Sequence, residues 1–268
     1  MKKLIVIFLS VLFCFLGNVS LAKEKIQMTN DTPGIYVFKI NTQKYGEKIK
    51  PFVTPYLTMP ETVYEDNCFD LVVNAGFFDV KTGKSVSYVT IDEKMVSDVE
   101  DNKELVESLK KQDRLEKVLQ RGEFRILQKG EKLKFDIALH NEPIPDGYTL
   151  KHALQSGPIL LPDMDLVKEG FVIYDENCNV KFQSADLLKR RERTAIALKG
   201  KYLYIVIFTK ENKVDANEMA DYMKNTLKAK KALAFDGGLS TAVNYKNLSI
   251  GSLGKRQRRV KSFLVIER

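Results

Sequence analysis

The sequence predicts a mixed α+β fold: a central mixed sheet with flanking helices and one β-α-β unit near the C-terminus. Three observations carry this expectation. Short runs of β-branched and aromatic residues recur from residue 34 to residue 267. Two segments place apolar residues at helical spacing behind a capping pair. One of these lies between the runs YLYIVIF (202–208) and ALAF (232–235), the order a β-α-β unit requires.

Residues 1–22 combine Lys2 and Lys3, an apolar run from Leu4 to Leu16 and a Ser-Leu-Ala ending at Ala22, the pattern of a secretory signal peptide. Residues 23–268 are then expected to form a single domain with one large core. No later segment reads as a membrane span, so no stable membrane anchor is expected after signal removal. GIYVFKI (34–40), FDLVV (69–73) and SYVTID (87–92) read as strands, and the second leads directly into NAGFFD. Asp101 and Glu104 then form a capping box, and Leu105, Leu109, Val118 and Leu119 recur among many charges. This predicts a surface helix inserted near 101–121. EFRIL and KLKFDIAL predict a hairpin, as do RTAIAL and YLYIVIF around Gly200 and Lys201. Asp215 and Glu218 cap the next helix, which carries Met219, Ala220, Met223 and Leu227 on one face. SFLVIE (262–267) is the last strand.

The chain has 43 basic and 35 acidic side chains, a formal net charge of +8, which becomes +6 once Lys2 and Lys3 leave with the signal. A moderately cationic exported protein suits an anionic ligand or an envelope surface. The short, lysine-rich signal reads as bacterial, which implies the periplasm or the cell exterior. Cys68 and Cys178 remain after the signal, and an oxidising compartment permits a bridge between them; spacing leaves the pairing open. With two histidines, no H-E-x-x-H, no cysteine cage and no EF-hand loop, no metal or cofactor is expected. The run KRQRR (255–259) reads as a solvated loop, with polyanion binding as the alternative, and no nucleic-acid partner is expected.

Four segments share one grammar, an apolar strand beside small or polar residues: LVVNAGFFD (71–79), ALQSGPILL (153–161), RRERTAIAL (190–198) and ALAFDGGLSTAV (232–243). In this order they resemble the phosphodiester glycosidase family, over about residues 68–268. The helix at 101–121 and Leu239, where many members have a further small residue, depart from the family pattern.

The resemblance implies a hydrolase acting on a sugar-1-phosphodiester, with a phosphorylated glycan of the envelope or exterior as substrate. A phosphate ester leaves readily as an anion, so such catalysis needs charge stabilisation more than a strong acid. Arginine suits that task. Arg191 and Arg193 lie two apart at the start of a strand and are expected on one face, with Arg190 and Glu192 on the other. Gly237 and Gly238 are expected to offer bare amides, and Ser240 and Thr241 hydroxyls, to the substrate. Asp236 is the leading acid/base candidate, and the other reading of Asp-Gly-Gly is a tight turn. Anomeric hydrolysis commonly uses two carboxylates, and Asp79 is the candidate partner, with a turn residue as its alternative. Asn74, Gly76, Gln155 and Ser156 complete the expected substrate-binding set. A non-catalytic phosphoglycan-binding module and a glycosyl transferase are the competing functions.

Overall fold

The computed structural model describes residues 24–184, 186–251 and 258–268. The expected signal peptide, and residues 255–257 of the basic run, lie outside the described residues. Among the described residues eighteen strands, numbered here in chain order, form three antiparallel sheets and a ribbon. The first sheet runs β1 (Ile26–Thr32), β2 (Ile35–Asn41), β14 (Tyr202–Phe208), β13 (Arg193–Lys199), β15 (Lys231–Ala234) and β10 (Ile159–Leu161). The second runs β17 (Leu248–Gly251), β16 (Ala242–Tyr245), β4 (Phe69–Asn74), β18 (Val260–Glu267) and β3 (Ile49–Thr58). The third runs β6 (Lys94–Ser97), β5 (Val89–Ile91), β9 (Thr149–Gln155), β7 (Gly122–Lys129) and β8 (Lys132–Leu139), and β11 (Val172–Tyr174) pairs with β12 (Val180–Gln183). The helices are short: α1 (Thr42–Tyr45), α2 (Pro60–Asp66), α3 (Lys103–Lys111), α4 (Leu115–Leu119) and α5 (Ala216–Asp221).

The three sheets share one core. Phe38, Ile205 and Leu233 of the first sheet, Leu71, Val73 and Leu264 of the second, and Phe124, Ile126 and Leu154 of the third pack into a single buried cluster. The back of the first sheet is also covered, because Ala195, Val206 and Phe208 face Met219 on α5 and Met223 just beyond it. Val72, Phe263 and Val265 on the back of the second sheet meet Val63 of α2. Strands buried on both faces carry apolar side chains at consecutive positions, which explains the unbroken runs in YLYIVIF and SFLVIE.

The antiparallel pairing corrects the expected mixed sheet. A contiguous β-α-β unit is not formed either. β14 and β15 flank α5 in the chain, but β13 lies between them and pairs antiparallel with both. The expected helix at 101–121 is two helices, because Asp113 adopts φ 54° and breaks the helix between α3 and α4. Its cap is Asn102, whose side chain accepts from the Leu105 amide, not Asp101. The Asp215 and Glu218 capping box forms as expected on α5. No helix among the described residues is long and apolar enough to cross a membrane.

Cys68 and Cys178 are both free and exposed, so the permitted bridge is not made. A thiol reagent is expected to label Cys68 and Cys178 in the native protein, and a reductant should leave its thermal midpoint unchanged. Protection of both thiols until reduction would contradict this geometry.

Candidate active site

A cavity of about 690 Å³ opens where the start of β13 and the end of β15 meet the loop before β13. Its volume is in the range of small-ligand sites. Asp236 lies in this cavity, two residues past the end of β15, and Arg193 reaches it from the first position of β13.

Asn74 holds this arrangement together from the neighbouring sheet. It is fully buried at the end of β4. Its Nδ2 donates to the Asp236 carbonyl at 2.6 Å, and its Oδ1 accepts from Thr194 Oγ1 at 2.7 Å and from the Ala242 amide at 3.0 Å. The Asp236 amide in turn donates to the Ala75 carbonyl at 2.8 Å, and the Phe235 amide to the Thr194 carbonyl at 2.9 Å. Both backbone polar groups of Asp236 are thus clamped, and the side chain is left to the cavity. Asn74 orients the backbone under the site; both polar atoms of its amide are engaged there, and it does not line the cavity.

Burial pushes the Asp236 carboxyl up to about 6. The Ser240 hydroxyl, the Gly237 amide and the cations Arg258 and Arg193 oppose that rise by favouring the anion. The Gly237 amide donates to Asp236 Oδ1 at 2.9 Å. The Ser240 hydroxyl faces the carboxylate without completing a well-formed hydrogen bond.

Arg193 is nearly buried, and backbone carbonyls take most of its donors. Nε donates to Val214, and Nη2 is surrounded by the carbonyls of Asp186, Leu187 and Lys189. Burial lowers its pKa, with Asp186 the largest opposing influence. Nη1 alone remains for the cavity side, so Arg193 has no Nε–Nη2 fork to offer two oxygens of an anion in this arrangement. Arg191 also lines the cavity, with Nη2 3.3 Å from Asp186 Oδ1.

The remaining expectations divide sharply. Gly237 and Gly238 do line the cavity, but their amides are engaged, the first by Asp236 and the second by the Glu192 carbonyl at 2.8 Å. Gly238 adopts φ +62°, the left-handed turn that a side chain resists. Ser240 and Thr241 are buried behind the turn, and neither lines the cavity. Asp79 is in a turn away from it. Its carboxylate accepts from the Lys81 amide at 2.8 Å and Thr82 Oγ1 at 3.0 Å, so its alternative reading as a turn residue is the one the structure displays. Gly76 is needed for packing, since a Cβ there would lie 2.7 Å from Ser87 Oγ. Gln155 is fully buried and donates to the Leu119 carbonyl at 2.8 Å, which ties α4 to the third sheet. Ser156 is buried with its hydroxyl unpartnered, and the next residue, Gly157, is the one that reaches the cavity wall.

Sequence reasoning missed several cavity residues, among them Phe171, Asp186, Glu192, Lys213 and Arg258. Glu192 was expected to point away, but β13 begins only at Arg193, so strand alternation does not extend to Glu192. Among the described residues no cluster of three or more His, Cys, Asp or Glu side chains can hold a metal.

A family model described as phosphodiester glycosidase matches residues 67–267. The chain belongs to the phosphodiester glycosidase family. Solved structures share its fold at low identity. The catalytic domain of zebrafish N-acetylglucosamine-1-phosphodiester alpha-N-acetylglucosaminidase, auto-inhibited by its pro-peptide, matches with a TM-score of 0.61 at 14% identity, over 91% of this chain and 81% of that one. A hypothetical protein from Synechocystis matches with 0.59 at 15%, over 91% of this chain and 61% of that one, so this chain spans less than two thirds of that relative's length. A candidate exported protein of Burkholderia pseudomallei matches with 0.59 at 10%, over 87% and 74%. No curated protein sequence matches at a significant level. At these identities the solved structures show the fold alone.

Two measurements test this family member's site as built. Asn74→Ala strands the Thr194 hydroxyl, the Ala242 amide and the Asp236 carbonyl, and is expected to destabilise the protein by about 3 kcal/mol or more in denaturant unfolding. A loss under about 1 kcal/mol would contradict the role given to the amide. A carboxyl whose pKa is higher folded than unfolded disfavours folding once ionised, so its effect is absent below about pH 4 and complete above about pH 6. Asp236→Asn should therefore raise the thermal midpoint at pH 8 and leave it unchanged at pH 3. Equal midpoints at pH 8 would show that the carboxylate is not desolvated.

Proposed function

We propose that this chain is an exported hydrolase that cleaves the bond between an anomeric carbon and a phosphodiester, in a glycan of the cell envelope or exterior. The observation that carries the reading is a carboxyl raised to about 6 in a cavity shared with arginines, in a chain of the phosphodiester glycosidase family. The zebrafish enzyme's name describes a cleavage of the same bond type. The apolar run at residues 4–16 supports export.

The roles follow from the chemistry of the bond. The leaving phosphodiester departs as a stabilised anion and makes little demand on a general acid. What the reaction lacks is a deprotonated group to activate water or to stand against positive charge at the anomeric carbon. Asp236 is suited to that part as the carboxylate, which a pKa near 6 leaves mostly ionised at neutral pH. Arg193 presents Nη1 and a fixed positive charge beside it. Arg191 contributes a second, more accessible cation. Glu192 takes the place that Asp79 was expected to fill, since it lines the cavity and lies 3.7 Å from Lys213 Nζ.

Turnover of a chromogenic sugar-1-phosphodiester by the purified protein tests this reading. Activity should fall as the pH drops through about 6, and Asp236→Asn should lose roughly a hundredfold or more. Arg193→Ala should lose well over tenfold, together with some stability, because four carbonyls lose their donor. Full activity in Asp236→Asn would remove the catalytic assignment, and binding without product would favour a phosphoglycan-binding module.

A further inference from the structure

Among the described residues four cations line the cavity, and three already have partners. Arg191 pairs with Asp186, Lys213 lies by Glu192, and Arg193 is held by backbone carbonyls. Arg258 differs from all three. Its backbone amide donates to the Leu239 carbonyl at 3.0 Å, which fixes the residue beside the turn that follows Asp236. Its guanidinium has no hydrogen bond or ion pair among the described residues, and the residue is only half-buried. Its charge nevertheless reaches Asp236 and favours the carboxylate there more than Arg193 does. A guanidinium in this state keeps its planar fork of donors and its charge available for a ligand, and it gives up little hydration until one arrives.

We propose that Arg258 takes hold of the substrate's phosphate, and so is the residue that selects an anionic phosphodiester over a neutral glycoside. The inference rests on the hydrolase reading above and deepens it. Arg193 cannot offer a fork, because Nε and Nη2 are engaged by carbonyls. Arg191 offers one already shared with a carboxylate. Arg258 can offer two parallel N–H donors to two phosphate oxygens, while Arg193 supplies a fixed charge from behind the Gly237 turn. Such division of labour accounts for a basic residue ahead of the last strand in a position that the core does not require.

The test uses the exported chain, the variants Arg258→Ala and Arg258→Lys, and two readouts. The first is calorimetric titration with bis(4-nitrophenyl) phosphate, a monoanionic diester that carries no sugar. Arg258→Ala should weaken its binding by tenfold or more, and Arg258→Lys, which keeps the charge but loses the fork, should fall between. The second is turnover of the chromogenic sugar-1-phosphodiester. There Arg258→Ala should raise KM by tenfold or more with a smaller change in kcat, and should move the acid limb of the pH profile upward, because a cation near Asp236 is gone. A residue with a merely structural part would not move that limb. Unchanged anion affinity and unchanged KM in Arg258→Ala overturn the inference even if the wild-type protein is an active hydrolase. Failure of the wild-type protein to bind the diester also overturns it. If the wild-type protein shows no turnover, yet Arg258→Ala loses tenfold in diester binding, the hydrolase reading fails and the anion-binding role of Arg258 stands.

Discussion

The side-chain amide of Asn74 is the interaction on which the site depends. It joins the end of a strand in the second sheet to two strands in the first, through the Thr194 hydroxyl and the Asp236 carbonyl, and to its own sheet through the Ala242 amide. Only a primary amide can do this, because the position calls for a donor and a two-fold acceptor in one small planar group. A carboxylate would repel the Asp236 carbonyl, and an apolar side chain would leave three buried polar groups without partners. With Ala75 holding the Asp236 amide as well, the catalytic candidate has no backbone freedom, and the cavity receives only its carboxyl.

The electrostatics of the cavity follow from the same economy of partners. Among the described residues the cavity lining carries four cations and three carboxylates, and most of that charge is already engaged within the protein. Arg193 is stabilised by carbonyl oxygens, which neutralise none of its charge yet fix its orientation. Its burial is tolerable because every buried donor has an acceptor. Asp236 has the opposite environment, a half-buried acid with a single clear backbone donor, and desolvation raises its pKa. A carboxyl held near neutrality beside fixed positive charge is the arrangement that proton transfer near an anionic leaving group requires.

Much of this was readable from residue patterns. The four motifs do converge in part: Asn74, Arg193 and Asp236 meet at one place, and ALAFDGG does end a buried strand at a cavity. Both hairpins and the Asp215 cap formed as their spacing implied. Strand direction was not legible, since local periodicity says which residues share a face but not which strands become neighbours. The misassigned roles have a common cause. Gly76, Gln155, Gly237 and Gly238 have the chemistry of ligand-binding groups, but neighbouring side chains and carbonyls of the protein itself use them first. Arg258 shows the reverse. It sits in a run that reads as a solvated loop, and only the path of the chain into the last strand brings it beside Asp236.

The central claim is that burial, enforced by the Asn74 clamp, sets the acidity of Asp236. Carbon-13 NMR titration of the aspartate side-chain carboxyls measures it directly, with the Asp236 signal assigned by its loss in an asparagine variant. The account predicts a midpoint near 6 for that carboxyl. A midpoint in the ordinary range near 4 would mean that the carboxyl is solvated, and would contradict the account.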